Sequence, residues 1–308
     1  MDIITVENLQ KAFKGRAVLK DITFSVKKGE VFGFLGPNGA GKTTTMRCML
    51  GLLRPDAGEA LVFGENMAVS DRLRGRIGVL LEKDGLSDRL TAFENLDYYA
   101  RLYGVSDREE RVREILEFVG LTERKDSLVG TFSTGMRRKL GIGRAILHNP
   151  EVLFLDEPSA GLDPEAQRMV RDLIADLSRE EEMTVVVNSH NLDEVQRVCS
   201  TVAILHDGRI RAFDTVERLR SGGGAEVRIV LSDRSSAERA LAVLSAATGV
   251  AAVSREGEEV SARLDGADVP TLVRAMAEAG CAIEEVRKDH RSLEEIYLSV
   301  VRQVGGSA

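Results

Sequence analysis

Three kinds of group that handle phosphate stand together between residues 36 and 44: Gly36, Pro37, Asn38, Gly39, Ala40, Gly41, Lys42, Thr43 and Thr44. They complete the pattern G-x-x-x-x-G-K-T. Glycines let the backbone curl so that successive N–H groups point at one anion. Lys42 is placed to reach the β- and γ-phosphates of a nucleotide, and the Thr43 hydroxyl to ligate Mg²⁺. Read alone, the stretch is also compatible with a glycine-rich turn carrying a lysine. A second acidic group strengthens the first reading. Val152-Leu-Phe-Leu155 runs straight into Asp156-Glu157. A buried strand would deliver Asp156 rigidly toward Mg²⁺. Glu157, one residue on, faces differently and can take a proton from an attacking water.

These groups need a strand before the loop and a helix after it. Val31 to Leu35 is an apolar run suited to a buried strand, and Thr44 to Leu53 carries Met46, Met49, Leu50 and Leu53 at helical spacing. The helix N-terminus adds unpaired donors and a favourable dipole. Around this unit, strands are predicted at Ile3–Leu9, Ile22–Val26, Leu61–Phe63, Ile77–Leu81, Val152–Leu155 and Thr184–Asn188. Val202–Leu205 and Arg209–Phe213 read as a hairpin around Asp207-Gly208. Helices are predicted from Thr91, with Glu94 completing a capping box, and over about Asp107–Val119, Ser133–Leu147, Pro164–Arg179 and Asn191–Val198. The alternation indicates an α/β fold with a largely parallel sheet.

Ser221-Gly-Gly-Gly224 is flexible by composition and marks a boundary. Residues 1–220 form the expected first domain, with a helical subdomain at about 83–150, and 221–225 the linker. Beyond it the order strand, helix, strand, strand, helix, strand over residues 226–287, closed by a helix at Ser292–Val301, is the split βαβ pattern of a ferredoxin-like domain. No catalytic constellation is visible there, and His290 reads as structural or solvated.

The chain has 308 residues, 30% charged and 43% apolar, which is ordinary for a soluble globular protein. A net charge of -7 argues against a duplex-wrapping nucleic-acid protein, since that role needs a basic face, and leaves room for a local basic patch; no nucleic-acid partner is expected. Cys48, Cys199 and Cys281 are an odd, dispersed set, pointing to a reducing compartment without a disulfide or zinc framework. No run approaches the length of a membrane span, and the first residues lack a basic segment followed by an apolar core. A cytoplasmic location follows, unless a partner holds the chain at a membrane.

Residues 1 to about 220 resemble the ATP-binding subunit of an ABC transporter. Besides the phosphate loop and the acidic strand end, Phe132-Ser133-Thr134-Gly135-Met136 resembles the family signature, Ser159-Ala-Gly-Leu-Asp163 its D-loop, and Asn188-Ser-His190 its switch histidine. The resemblance implies a phosphate-loop ABC ATPase domain with a helical insertion and an antiparallel β subdomain, followed by the small C-terminal α+β domain. It implies ATP and Mg²⁺ as cofactors and two ATPase domains closing head to tail as a homodimer. In that arrangement Ser133, Thr134 and Gly135 of one chain contact the γ-phosphate held by the other. His190 would sense that phosphate, Asp163 would bridge the halves, and Phe13 would stack on adenine. By themselves, Ser133-Thr-Gly135 reads as a capped helix start, His190 as structural and Phe13 as core. Two departures stand out. Glu82 occupies the position where the family commonly has glutamine, contacting Mg²⁺ and the transport partner. The signature has Thr134 for its second glycine and Met136 for its glutamine, resembling drug-resistance-type exporters, as does the closing Ser292-Leu-Glu-Glu-Ile-Tyr-Leu298.

The expected function is therefore the energy-coupling subunit of an exporter, peripheral on the cytoplasmic face of the cell membrane through a separate multi-span permease. A soluble ATPase of related architecture, acting on nucleic acid or ribosomes, is the alternative. Tandem cassettes, long coiled coils or basic linkers would favour it, and none is visible. A nucleotide-dependent sensor with little turnover is a third reading, against which Glu157 speaks. Nothing in the sequence identifies the cargo.

Overall fold

A computed structural model describes residues 1–180, 182–221, 226–289 and 292–305. The expected linker lies, apart from Ser221, outside the described residues, as does His290. The chain divides into two compact units, Met1–Thr215 and the remainder from Val216.

The first unit opens with two long strands, β1 (Asp2–Phe13) and β2 (Arg16–Lys27), each of 12 residues. Both are longer than the sequence predicts. Lys14 and Gly15 both take positive φ, the backbone a tight hairpin turn needs, so pairing runs to the turn itself at Phe13 and Arg16. Strand β3 (Val31–Leu35) leads to helix α1 (Lys42–Met49). Strand β4 (Ala57–Val62) then joins β1 and β2 in an antiparallel three-stranded sheet of order β2-β1-β4. The remaining strands are β5 (Ile77–Leu80), β6 (Val152–Asp156), β7 (Thr184–Ser189), β8 (Thr201–His206) and β9 (Arg209–Thr215). With β3 they form a six-stranded sheet of order β5-β6-β7-β3-β8-β9. Every pairing in it is parallel except β8 with β9. Strands β3, β6 and β7 are buried along their whole length, as parallel strands covered on both faces must be. Phe24 of β2 stacks on Phe32 of β3 at 5.2 Å and meets Phe34 edge-on at 4.9 Å, locking one sheet to the other.

Between β5 and β6 lie α2 (Ala92–Leu102), α3 (Arg108–Phe118) and α4 (Thr134–Ile146), which pack on one another. The predicted capping box is present: Thr91 Oγ accepts from Glu94 N–H and the Glu94 carboxylate from Thr91 N–H. Gly143 allows α4 to sit close, since a Cβ there would lie 2.8 Å from Ile115 of α3. Helices α5 (Pro164–Glu180) and α6 (Leu192–Val198) complete the unit.

The second unit starts with α7 (Val216–Ser221), a helix the sequence reading misses because it is six residues long and carries three charges. Then come β10 (Glu226–Leu231), α8 (Arg234–Ala246), β11 (Val250–Glu256), β12 (Glu259–Leu264), α9 (Val269–Glu278), β13 (Ile283–Asp289) and α10 (Leu293–Gly305). The sheet order β11-β12-β10-β13, antiparallel throughout, is that of the split βαβ fold. Its core gathers Val227, Ile229, Leu231, Leu244, Val260 and Met276.

Candidate functional site

The parallel sheet delivers the predicted groups to one edge. Strands β6, β7 and β3 are consecutive neighbours, and their carboxyl ends carry Asp156-Glu157, His190 and Gly36. In open α/β sheets that edge is where ligands bind. The loop from Gly36 to Gly41 is held open by its glycines. A Cβ at Gly36 would lie 2.3 Å from Leu205 O, and Gly41, the residue before α1, has a φ of 113°. Both positions exclude a side chain.

A cleft of about 390 Å³ is lined by Pro37, Asn38, Gly39, Gly41, Lys42, Thr43 and Thr44 on one side, and by Glu82, Asp156, Glu157 and His190 on the other. Two predicted loop residues stand behind the lining. Gly36 is buried, and Ala40 has its side chain in the core with its N–H bonded to Pro37 O. Lys42 Nζ, itself buried, donates to Gly36 O at 2.6 Å and faces Glu157 Oε1 at 3.4 Å. The Thr43 hydroxyl donates to Asp156 Oδ1 at 3.1 Å, and Asn188 Nδ2 donates to the same oxygen at 3.0 Å. Asn188 Oδ1 has no hydrogen-bond donor although it is buried. A hydroxyl and a carboxylate side by side are hard oxygen donors, and this pair fits Mg²⁺ bound together with phosphate.

Glu157 sits at the turn after β6 with a φ of 51°, a strained value for a residue with a side chain. Its N–H donates to Asn188 O at 2.9 Å, which fixes the turn and aims the carboxylate out of the sheet. That geometry separates the two neighbouring acids: Asp156 is buried, and the Glu157 side chain is 21% exposed. Glu157 Oε2 meets His190 Nδ1 at 2.7 Å, and the imidazole is 53% exposed. The arrangement puts a carboxylate, a buried lysine and a hydroxyl–carboxylate pair with the donor chemistry for a hard cation around one opening.

Other predicted residues lie elsewhere. Ser133, Thr134 and Gly135 do not line the cleft; Ser133 caps α4, its Oγ accepting from Met136 N–H at 3.2 Å. Asp163 caps α5 in the same way, accepting from Ala166 N–H at 2.9 Å. Phe13 ends β1 with its ring 45% exposed, outside the lining and 5.7 Å from Lys11 Nζ. Glu82 is exposed at the rim.

Sequence reasoning gives no role of their own to Val18 and Ala160, which line the cleft, or to Asn188 and Arg138 beside it. The signal for Asn188 is a polar residue ending an otherwise apolar strand. Arg138, in α4, donates to Leu81 O at 3.4 Å. Burial pushes its guanidinium below its ordinary value, against the opposing pull of Asp84, Asp156, Glu194 and Glu82. Its neighbour Arg137 pairs with Asp84 at 3.0 Å, so the first turn of α4 is tied to the segment that follows Glu82.

Residues 19–160 match the family described as ABC transporter. The chain is 37% identical over 306 residues to the daunorubicin/doxorubicin resistance ATP-binding protein DrrA of Streptomyces peucetius, covering 96% of this chain and 92% of that protein. It is 39% identical over 236 residues to the bacitracin transport ATP-binding protein BcrA of Bacillus licheniformis, covering 76% and 77%. The solved structure of cbiO1 from Clostridium perfringens, part of the ABC transporter complex cbiONQ, matches with a TM-score of 0.66 at 27% identity. That match covers 71% of this chain and 90% of the other.

Proposed function

The chain belongs to the ABC transporter family as an ATP-binding and ATP-hydrolysing subunit of the drug-resistance exporter type, and from that premise we propose how it works. Two copies close head to tail on ATP beneath a separate multi-span permease, and hydrolysis reopens them. The observation that carries this reading is the separation of Ser133–Gly135 from the cleft. A helix N-terminus capped by Ser133 is a ready anion site. Within one chain it faces no phosphate loop, so a second chain supplies the opposing half.

In each closed site Lys42 and the loop N–H groups hold the phosphates. Mg²⁺, ligated by Thr43 and Asp156 with Glu82 at the rim, would neutralise charge on the β- and γ-oxygens. Water attacks the γ-phosphorus, the bond to the ADP oxygen breaks, and Glu157 takes the water proton. His190, bonded to the same carboxylate, holds Glu157 in line and contacts the γ-phosphate. Phe13 stacks on adenine, and Asp163 bridges the two halves.

The membrane partner docks on the helical region. Tyr98 and Leu102, one turn apart on α2, are 58% and 66% exposed, an apolar pair that a covering partner would bury. No helix among the described residues is long and apolar enough to cross a membrane, and the permease of this reading is a separate chain. In this reading the subunit sits on the cytoplasmic face, where ATP is, held there by the permease. The resistance and transport functions of its relatives point to an exported small molecule as cargo.

The test is the Glu157→Gln chain with Mg-ATP. Its mass by light scattering is expected to double on ATP addition, and a multi-span protein is expected to co-purify with it from membranes. A monomer that stays monomeric at saturating ATP would overturn the dimer, and only soluble partners would overturn the coupling.

A further inference from the structure

Glu194 has no part in the steps above. Its carboxylate lies on α6, 2% exposed, behind the cleft. Each oxygen takes one hydroxyl donor: Oε1 from Ser159 and Oε2 from Ser189, both at 2.5 Å. The Ser189 Oγ in turn accepts from Asn191 N–H at 3.0 Å. The Asn191 side chain accepts from the N–H groups of Asp193 and Glu194 at 3.0 and 3.2 Å, capping α6. Every oxygen in this ring is engaged.

The two serines belong to different segments of chain. Ser159 follows Glu157 by two residues, and Ser189 immediately precedes His190. On the cleft side these segments meet through Glu157 Oε2 and His190 Nδ1 at 2.7 Å. On the buried side they meet through Glu194. Burying a carboxylate is costly, and an apolar side chain would fill the same space without that cost. A packing role therefore does not account for it. What an apolar residue cannot do is hold two hydroxyls of two segments at fixed distances from each other.

We propose that Glu194 is a positioning residue that sets the geometry of the Glu157–His190 pair by clamping Ser159 to Ser189. The inference rests on the assignment of that pair to hydrolysis. Loss of the clamp leaves the phosphate loop untouched, so it acts on turnover and not on ATP affinity. Because it acts through the pair, its effect disappears once the pair is already broken.

The experiment is a double-mutant cycle on the full chain, read as steady-state kcat with Mg-ATP and as ATP affinity by equilibrium titration. Glu194→Ala is expected to lower kcat about tenfold or more, since small displacements of reacting groups carry such penalties. ATP affinity is expected to stay within about twofold, the signature of an interaction used in turnover and not in binding. On the His190→Ala background, Glu194→Ala is expected to change kcat by less than about twofold. Equal losses on both backgrounds would overturn the proposal, as would an unchanged kcat in Glu194→Ala. Should Glu194→Ala fail to fold, Ser159→Ala and Ser189→Ala remove the donors singly. Each is expected to lower kcat about threefold on the wild-type background and not on His190→Ala. If neither does, the clamp is refuted. A silent His190→Ala chain would refute the pair assignment itself, and the clamp with it, so the two failures are told apart.

Discussion

The two units bury different things. Among the described residues the first unit buries Lys42, Thr45, Asn95, Asp156, Asn188 and Glu194, whereas the buried polar side chain of the second is Ser236. Most of the first set converge on the carboxyl edge of the six-stranded sheet, where they hold one another and the cleft. Ser236 donates to Asp233 and accepts from Ala282 N–H, so it closes a helix start. Polar burial is costly unless it is matched, and a domain whose only task is to pack has little reason for it. The difference separates a unit built around chemistry from one built around an apolar core. Perturbing the first should alter turnover or binding, and perturbing the second should alter folding.

The largest effect is expected from Glu157→Gln. Removing a general base should lower kcat about 10²–10⁴-fold while ATP remains bound. A stopped assay with titrated ATP checks both halves, and wild-type turnover would break the assignment of chemistry to this edge. Lys42→Ala comes next. Loss of a charge-assisted contact to phosphate should weaken ATP binding about ten- to a hundredfold. Unchanged affinity in a titration would mean that the buried lysine serves the fold.

Ile229→Ala tests the other side of the comparison. Ile229 is 1% exposed at the centre of the second core, and truncating it should cost that unit about 2–5 kcal/mol. Hydrogen exchange of the β10 and β12 amides should accelerate while ATP affinity holds. A parallel loss of ATP affinity would show that the second unit supports the nucleotide site.

How far the sequence reached follows the same division. The edge of the parallel sheet was legible because its chemistry is contiguous: the loop from Gly36 to Thr44 and the pair Asp156-Glu157 each occupy one stretch. The order of the second unit was legible because periodicity switches cleanly at each turn, as at Asp207-Gly208 in the first. What stayed hidden depends on contacts between distant stretches. Asn188 meets Asp156 across a strand pair, Arg138 reaches from α4 to Leu81 after β5, and Glu194 joins segments 30 residues apart, Ser159 and Ser189. The full length of β1 and β2 was hidden too, because Arg16 and Lys11 read as loop until the hairpin turn pairs the strands.

The smallest effect sharpens the comparison most. Ser236 is the one buried polar side chain of the second unit among the described residues, and it joins the cap of α8 to the Ala282 backbone. Its N–H and hydroxyl both donate to Asp233, each at 2.8 Å, and those bonds, the N–H first, hold the Asp233 carboxyl below its ordinary value. A carboxyl depressed in the folded state contributes stability above its unfolded pKa and loses it as pH falls through the folded value. Ser236→Ala removes the hydroxyl's bond to Asp233 and the acceptor that Ala282 N–H and Arg239 use, and leaves the N–H bond to Asp233. It should therefore lower the stability of the second unit near neutral pH. The cost should shrink on acidification, as Asp233 is protonated in both chains. Denaturant midpoints of the second unit across the acid range check this. A penalty that stayed constant down to full protonation of Asp233 would mean that Ser236 matters through Ala282 and packing, and that even this lone buried hydroxyl belongs to the core.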